Sequence, residues 1–412
     1  MNIATVRFSE NVAYRFIVFV AAILIVFISG SLLISNESLL SSITVRILYI
    51  SLIFSLLLTN KLENFLILKR KLLIITAIFA VFIVVNVFKV PKNVFHFFIR
   101  LSWFLCFFVL CNYNPKTKKL LSSYIYLIVL FLASSSFILF VIINIFKINL
   151  PMSVIYVEPF NYYSFAGIYY LIPQAKVNFL NQTLYRAQSI FWEPGVFAVF
   201  LSYTLYYELF IKEKPNLLIA IFIYICILTT FSTTGIMVGI GILGCYFLLT
   251  KRVSKGIKYL SFSILAPLAL VFLITVWNSK KYGDGEQLSG SYSLRMFDLV
   301  YGFSILKSNP LFGSGYNNDT IFKELFKKIY GYERGSSNGL ITWIITTGII
   351  GSVLILYPFF RKLRNSKTII QDICFLTVFI LLNMTEPLML TPLVIYIVAN
   401  EYSLIIQKKV SS

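Results

Sequence analysis

Residues 124–146 read Tyr124-Ile-Tyr-Leu-Ile-Val-Leu-Phe-Leu-Ala-Ser-Ser-Ser-Phe-Ile-Leu-Phe-Val-Ile-Ile-Asn-Ile-Phe146, without one charged side chain. As a helix this stretch is ~35 Å long at 1.5 Å per residue, enough to cross ~30 Å of bilayer hydrocarbon. Similar blocks recur along the 412 residues at 16–35, 43–59, 72–89, 94–112, 191–211, 217–232, 234–249, 257–278, 340–360, 369–386 and 389–406. They predict an all-α, polytopic integral membrane protein of about 12 transmembrane helices, with residues 1–412 forming a single membrane domain. Residues 229–235 read either as a turn or as a broken, re-entrant segment. Only 13% of residues are charged and 58% are hydrophobic. Soluble domains carry ~25% charge, so a soluble fold is excluded.

The net charge of +20 suggests nucleic acid until its placement is considered. Basic residues gather at Arg7/Arg15, Lys61/Lys69/Arg70/Lys71, Lys116/Lys118/Lys119, Lys212/Lys214, Lys251/Arg252/Lys255/Lys258, Arg361/Lys362/Arg364/Lys367 and Lys408/Lys409. These clusters hold more than half of the 36 lysines and arginines and fall on alternate connections. The positive-inside rule therefore predicts both termini in the cytoplasm and accounts for the charge without a nucleic-acid partner. After Asn2 the chain soon enters its first span without a small-residue cleavage site, so no cleavable signal is expected. The five cysteines lie in apolar segments without a C-x-x-C pair, and the chain has one histidine. That predicts packing cysteines and no His/Cys metal site.

Two long connections fall on the opposite side, over 147–190 and 278–339, and both are expected to contain short helices. The first holds Tyr156, Phe160, Tyr162, Tyr163, Phe165, Tyr169 and Tyr170, aromatics suited to a membrane interface. The second holds Gly283-Asp284-Gly285, a predicted helix around residues 292–307, then Asn309-Pro310-Leu311-Phe312-Gly313-Ser314-Gly315. Loops this long in a compact protein are functional or disordered, and their apolar content argues against disorder.

Positive charge on that side is the chemical signal. Arg46 opens the second span; His96 and Arg100, four apart, share one face of the fourth. Arg186 and Arg295 lie in or beside the long loops. Arg46 is read first as snorkelling to headgroups, and Arg100 fits that role or a functional one equally. For Arg186 and Arg295 the functional role is preferred, because planar bidentate guanidinium groups suit phosphate oxygens. Glu193, followed by Pro194, either caps a helix start or acts as a base toward a sugar hydroxyl. Asp298, Asp319 and Glu333 read as solvated loop acids, Asp298 and Glu333 standing behind Glu193 as bases. Glu386-Pro387 reads as a second cap. Gly239-Ile240-Gly241-Ile242-Leu243-Gly244 lies inside a span with no preceding strand and reads as a helix-packing face.

The stretch Arg186-Ala187-Gln188-Ser189-Ile190-Phe191-Trp192-Glu193-Pro194-Gly195, opening a span after a long loop, resembles the bacterial O-antigen polymerase (Wzy) family. Asn309 to Tyr316 is similar to that family's glycine-turn segment. Ser337-Asn338-Gly339-Leu340 with Gly348-Ile349-Ile350-Gly351 resembles the loop-to-span junction of polymerases and O-antigen ligases. The resemblance covers roughly residues 180 to 355. It implies a metal-independent glycosyltransferase of lipopolysaccharide biosynthesis without cofactors. Donor and acceptor would both be glycans linked to undecaprenyl pyrophosphate in the membrane lipid, with a chain-length regulator and a flippase as candidate protein partners. Arg186 and Arg295 then stabilise the leaving pyrophosphate, with Arg46 and Arg100 as further contacts, and Glu193 is the base. His96, Tyr162, Tyr163, Tyr316 and Asn338 are candidate substrate contacts, the loop tyrosines by stacking on sugars. Ligases carry histidine where Ser337 stands, which weighs against ligase activity. An O-antigen ligase and a lipid-linked oligosaccharide flippase remain the alternatives. A flippase predicts related halves and polar groups at the bilayer midplane, and neither is visible in the sequence.

Overall fold

The computed structural model describes residues 3–32, 89–90, 94–113, 115–157, 160–167, 169–173, 176–179, 182–250, 256, 263, 267, 270–271, 274, 291–316, 318, 320–331, 333, 335–364, 366, 368–389 and 391–408. The predicted span at 43–59, nearly all of 72–89, most of 257–278, and Arg46 and Asp319 lie outside these residues. The described chain is mainly helical: α1 (Ile3–Ile28), α2 (Val94–Tyr113), α3 (Pro115–Phe140), α4 (Pro194–Tyr206), α5 (Leu217–Thr229), α6 (Thr233–Leu249), α7 (Ser291–Ser308), α8 (Thr320–Tyr330), α9 (Gly339–Arg364), α10 (Ile369–Thr385) and α11 (Pro392–Lys408). Among the described residues, Lys116–Ile145, Pro194–Ile211 and Gly339–Arg364 are long and apolar enough to cross a bilayer. Five shorter apolar helices accompany them, so this is a multi-pass membrane protein. Helices fill these ranges because a backbone in hydrocarbon must satisfy its own polar groups. Most of the core is one cluster of buried side chains, including Val18, Ala22, Phe107, Phe108, Phe197 and Phe200, and a smaller one joins α7, α8 and α9 through Phe297, Phe322, Phe326, Ile341 and Ile345.

One connection departs from expectation. The connection at 147–190 forms strands rather than short helices: β1 (Ser153–Val157), β2 (Phe160–Phe165) and β3 (Tyr169–Leu171) make one antiparallel sheet, and β4 (Lys176–Phe179) pairs with β5 (Gln182–Tyr185). The fold is therefore not all-α. Its aromatic run favours a pleated surface, and adjacent hairpins pair the backbone locally. The second long connection is helical as expected, with α7 and α8.

The region between α5 and α6 is a sharp turn, with Phe231 at φ +48°. Two helices also contain π-helical segments, Val141–Ile145 after α3 and Tyr207–Ile211 after α4. The first presents Asn144, whose amide brackets the backbone of Tyr185: Tyr185 N donates to Asn144 Oδ1 at 2.7 Å, and Asn144 Nδ2 donates to the Tyr185 carbonyl at 3.2 Å. This pins the residue immediately before Arg186. The second presents Glu208, fully buried, which accepts from Tyr126, Lys212 and the Asn216 backbone at 2.6 to 3.1 Å.

The Asn309–Tyr316 and Gly348–Gly351 segments dock on each other. At Gly348 (φ 69°, ψ −168°) α9 breaks, freeing backbone groups that the loop satisfies. Ser314 N and Gly315 N donate to the Ile345 and Thr346 carbonyls at 2.9 and 3.0 Å. Ile349 N and Ile350 N donate to the Pro310 and Leu311 carbonyls at 2.9 and 3.2 Å. A Cβ on Gly348 would lie 2.3 Å from the Leu311 carbonyl oxygen, and one on Gly313 2.4 Å from that of Ile345. Both positions have positive φ, so glycine serves conformation and close approach together.

Candidate active site

The start of α4 is held in a cage of backbone bonds. Leu32 N donates to the Ile190 carbonyl and Trp192 N to that of Gly30, which fastens the loop to the end of α1. On the other side Ala187 N donates to the Thr229 carbonyl at 3.0 Å, and Arg186 Nε to that of Thr230 at 2.9 Å. These carbonyls sit at the C-terminus of α5, the negative end of its dipole, which suits a guanidinium. Arg186 is half-buried, and its terminal nitrogens have no hydrogen-bond partner among the described residues. Burial lowers its pKa to about 10, and the nearby Arg295 adds to that; the Glu193 and Glu386 carboxylates pull it back up. It is still a cation at neutral pH, one that gains from meeting an anion.

Glu193 occupies the N-cap position of α4 in extended conformation, yet its side chain makes no capping hydrogen bond, and the residue is exposed. Pro194 takes the first helical turn, as the sequence suggests. Tyr162 is buried, donates to the Trp192 carbonyl at 3.2 Å, and has its phenol pushed up to about 12 by burial and by Glu193. Tyr163, next along β2, is 36% exposed and faces the other way, so only one of the two tyrosines joins the site.

Glu386 closes the arrangement. It ends α10 and is buried, with Oε1 3.9 Å from Arg295 Nη2. Arg295 Nη2 also donates to the Thr385 carbonyl at 3.3 Å. The Glu386 carboxylate lies against the Cα of Gly195: an added Cβ there would be 1.8 Å from Oε1. The following backbone packs on Gly339, where a Cβ would be 2.4 Å from the Glu386 carbonyl oxygen. Glu386-Pro387 is thus wedged between the starts of α4 and α9, and binds Arg295 from α7. The structure brings Arg186, Glu193, Arg295 and Tyr162 together with Glu386, which by sequence alone reads only as a cap. The repeated Glu-Pro dipeptide was the available signal.

Other expected residues are placed differently. Asp298 is not solvated; it is buried and accepts from the backbone N and the hydroxyl of Ser337 at 2.8 and 2.9 Å. Serine at the position where ligases carry histidine therefore serves an α7–α9 tie. Glu333 is exposed, ion-paired with Lys327 at 2.8 Å, its pKa lowered by that contact. Asn338 is buried and caps α9 through its side chain, accepting from Ile341 N at 3.0 Å. Tyr316 packs edge-on against Trp343 at 6.5 Å. Arg100 lies 5.1 Å from the Trp103 ring, a cation–π pair on α2. His96 is on the same helix, its side chain outside the described residues. Gln188 and Ser189 carry no charge that would mark them in the sequence. Both are fully buried, the Gln188 amide and Ser189 hydroxyl have no protein partner among the described residues, and Ser189 has φ +52°. Such groups next to a half-buried arginine are characteristic of a polar site.

Cations from two connections thus share one end of the bundle with two carboxylates, an arrangement able to hold a phosphate-bearing anion and to accept a proton beside it. A search of curated proteins found no match. Residues 217–356, about a third of the chain from α5 into α9, match the family model Wzy_C, described as O-antigen ligase, and this supports the O-antigen ligase and polymerase family for the chain.

Proposed function

We propose that this protein is a glycosyltransferase that polymerises lipid-linked oligosaccharide repeat units at the loop end of its helices. That end is the periplasmic face of the bacterial inner membrane. The observation that carries this reading is the placement of two arginines and two carboxylates around the start of α4: Arg186 is held on the Thr230 carbonyl, and Glu386, 3.9 Å from Arg295, seats against Gly195 two residues after Glu193. The family acts on lipid-linked glycans, and its model covers α7 with Arg295.

In the proposed step, a hydroxyl of the acceptor glycan attacks the anomeric carbon of the donor. A new C–O bond forms as the bond from that carbon to the undecaprenyl pyrophosphate oxygen breaks, and the electron pair leaves with the pyrophosphate. Glu193, exposed and unused as a cap, takes the hydroxyl proton. Arg186 and Arg295 face the charge that grows on the leaving group. Preorganised donors of this kind are each worth about 10²–10³ in rate. Glu386 is a positioning residue, since it holds Arg295 and seats against Gly195.

A second reading, the O-antigen ligase, is favoured by the description of the matched family model. It uses the same leaving group with a different acceptor. Deletion in the host, read as a gel of surface glycan, separates the readings. A single capped repeat marks a lost polymerase, and polymer retained on the carrier lipid marks a lost ligase. Complementation with Arg186→Lys should restore the protein but not the polymer; full-length polymer from that variant would remove Arg186 from the site.

A further inference from the structure

Helix α7 is apolar on two sides. One side, with Phe297, Tyr301 and Ile305, packs with Phe322 and Phe326 of α8 and with Ile341 and Ile345 of α9. Gly302 lets it come close to α9: a Cβ there would be 2.6 Å from Ile345 Cδ1 and 2.8 Å from Ile341 Cγ2. The other side is open. Met296, Val300 and Phe303 are 42–55% exposed, and their spacing sets them in one stripe that ends at the exposed Lys307. The acid of α7, Asp298, is buried on Ser337, so the stripe carries no negative charge. By contrast α8 exposes Glu324, Lys327 and Lys328 beside Ile329, the pattern of a helix facing water.

The neighbouring span fixes the depth of α7. Ile349, Val353, Tyr357 and Phe360 are exposed along one face of α9, which is long and apolar enough to cross the bilayer, so that face meets acyl chains. Arg361, Lys362 and Arg364 end α9 at the far side. Ile345 and Ile341 stand ~24 and ~30 Å along the helix from Arg361, and the hydrocarbon is ~30 Å thick. Gly302 therefore crosses α9 at the outer edge of the hydrocarbon. Leu311, exposed just beyond α7, joins the two apolar faces: its carbonyl accepts from Ile350 N, and that of Pro310 from Ile349 N. Lys89 brings a second cation to this end, donating to Asn309 Oδ1 at 3.3 Å and to the Gly313 carbonyl at 2.5 Å.

We propose that α7 is an interfacial helix whose Met296–Val300–Phe303 stripe lies among outer-leaflet acyl chains, with Lys307 and Lys89 at the anionic headgroups. Helices of this kind sink their apolar face ~5–10 Å into the headgroup boundary. The occupant is membrane lipid, because the stripe continues the lipid-facing side of α9 through Leu311. Part of the connection expected outside the membrane thus returns to its surface, and Arg295, on the same helix, is held at headgroup depth. This placement stands apart from the choice between polymerase and ligase.

The test uses the full chain in nanodiscs of phosphatidylethanolamine and phosphatidylglycerol, with a phosphatidylglycerol carrying benzophenone in its acyl chain as the probe. Adducts are expected on Met296, Val300 or Phe303 as on Val353, with yields on Lys327 and Lys328 of α8 lower by about tenfold. Val300→Glu with Phe303→Glu should cut adducts on Met296 about tenfold and leave Val353 unchanged; Val300→Ile with Phe303→Leu should label as wild type. An unlabelled α7 beside a labelled Val353 would overturn the proposal, as would equal yields on α7 and α8. So would α7 adducts that form with one chain per nanodisc and vanish with two, which would assign the stripe to contact between copies.

Discussion

Two of the chain's three Glu-Pro dipeptides, Glu193-Pro194 and Glu386-Pro387, stand where a loop meets a helix, and they do opposite work. Glu193-Pro194 starts a helix, with its carboxylate exposed. Glu386-Pro387 ends one, with its carboxylate buried against Gly195 and beside Arg295. The difference follows from chain direction. At a helix start the cap side chain diverges from the axis toward the loop, whereas after α10 the chain turns inward between the starts of α4 and α9. An identical dipeptide thus leaves a carboxylate at the surface in one place and buries it as a structural anchor in the other. A carboxylate's role is set by what packs on it.

Breaking the contrast should show first in activity. Arg186→Lys keeps the charge but loses the planar fork held by the Thr230 carbonyl, and should lower polymer formation in isolated membranes about 10²–10³-fold at unchanged protein level. Gly195→Ala places a methyl carbon on the Glu386 carboxylate. It should cost at least tenfold in the same assay, and a normal rate would show that the carboxylate need not stay seated. The two glutamates should then separate by assay. Glu386→Gln should lower the melting transition by the equivalent of about 1–3 kcal/mol, the cost of disturbing a buried polar group that faces Arg295. Glu193→Gln should stay within ~0.5 kcal/mol of wild type yet lose turnover. Equal melting losses in both variants would erase the distinction. The smallest effect is in pH dependence. Because burial lowers Arg186 to about 10, its charge is complete at pH 7 and is lost as pH rises through 10. The alkaline limb of activity should fall near there, well below the ordinary arginine value of ~12.5.

Much of the helical framework was legible because hydrocarbon imposes a length and polarity that composition reveals. The predicted 94–112, 217–232 and 234–249 differ from α2, α5 and α6 by three residues or fewer. The strands at 153–185 were missed because an aromatic run suits a membrane interface and a pleated sheet alike. The site was half legible. Arg186 and Arg295 stood out as cations where none were needed for topology, and Glu193 as an acid at a helix border. Glu386 and Asp298 did not, since their importance comes from burial by segments 47 to 191 residues away in one case and 39 in the other. The mutual docking of 309–316 and 348–351 was invisible for a similar reason: both motifs could be quoted, but only the break at Gly348 shows that each completes the other's backbone.

The central claim is that Arg186 and Arg295 grip one anion. A double-mutant cycle on the affinity for a polyprenyl diphosphate, with Arg186→Gln, Arg295→Gln and the pair, measures it directly. The shared site predicts that each single change weakens binding and that the pair departs from additivity by about 0.5–3 kcal/mol. Strictly additive losses, or a variant that binds like wild type, would contradict it.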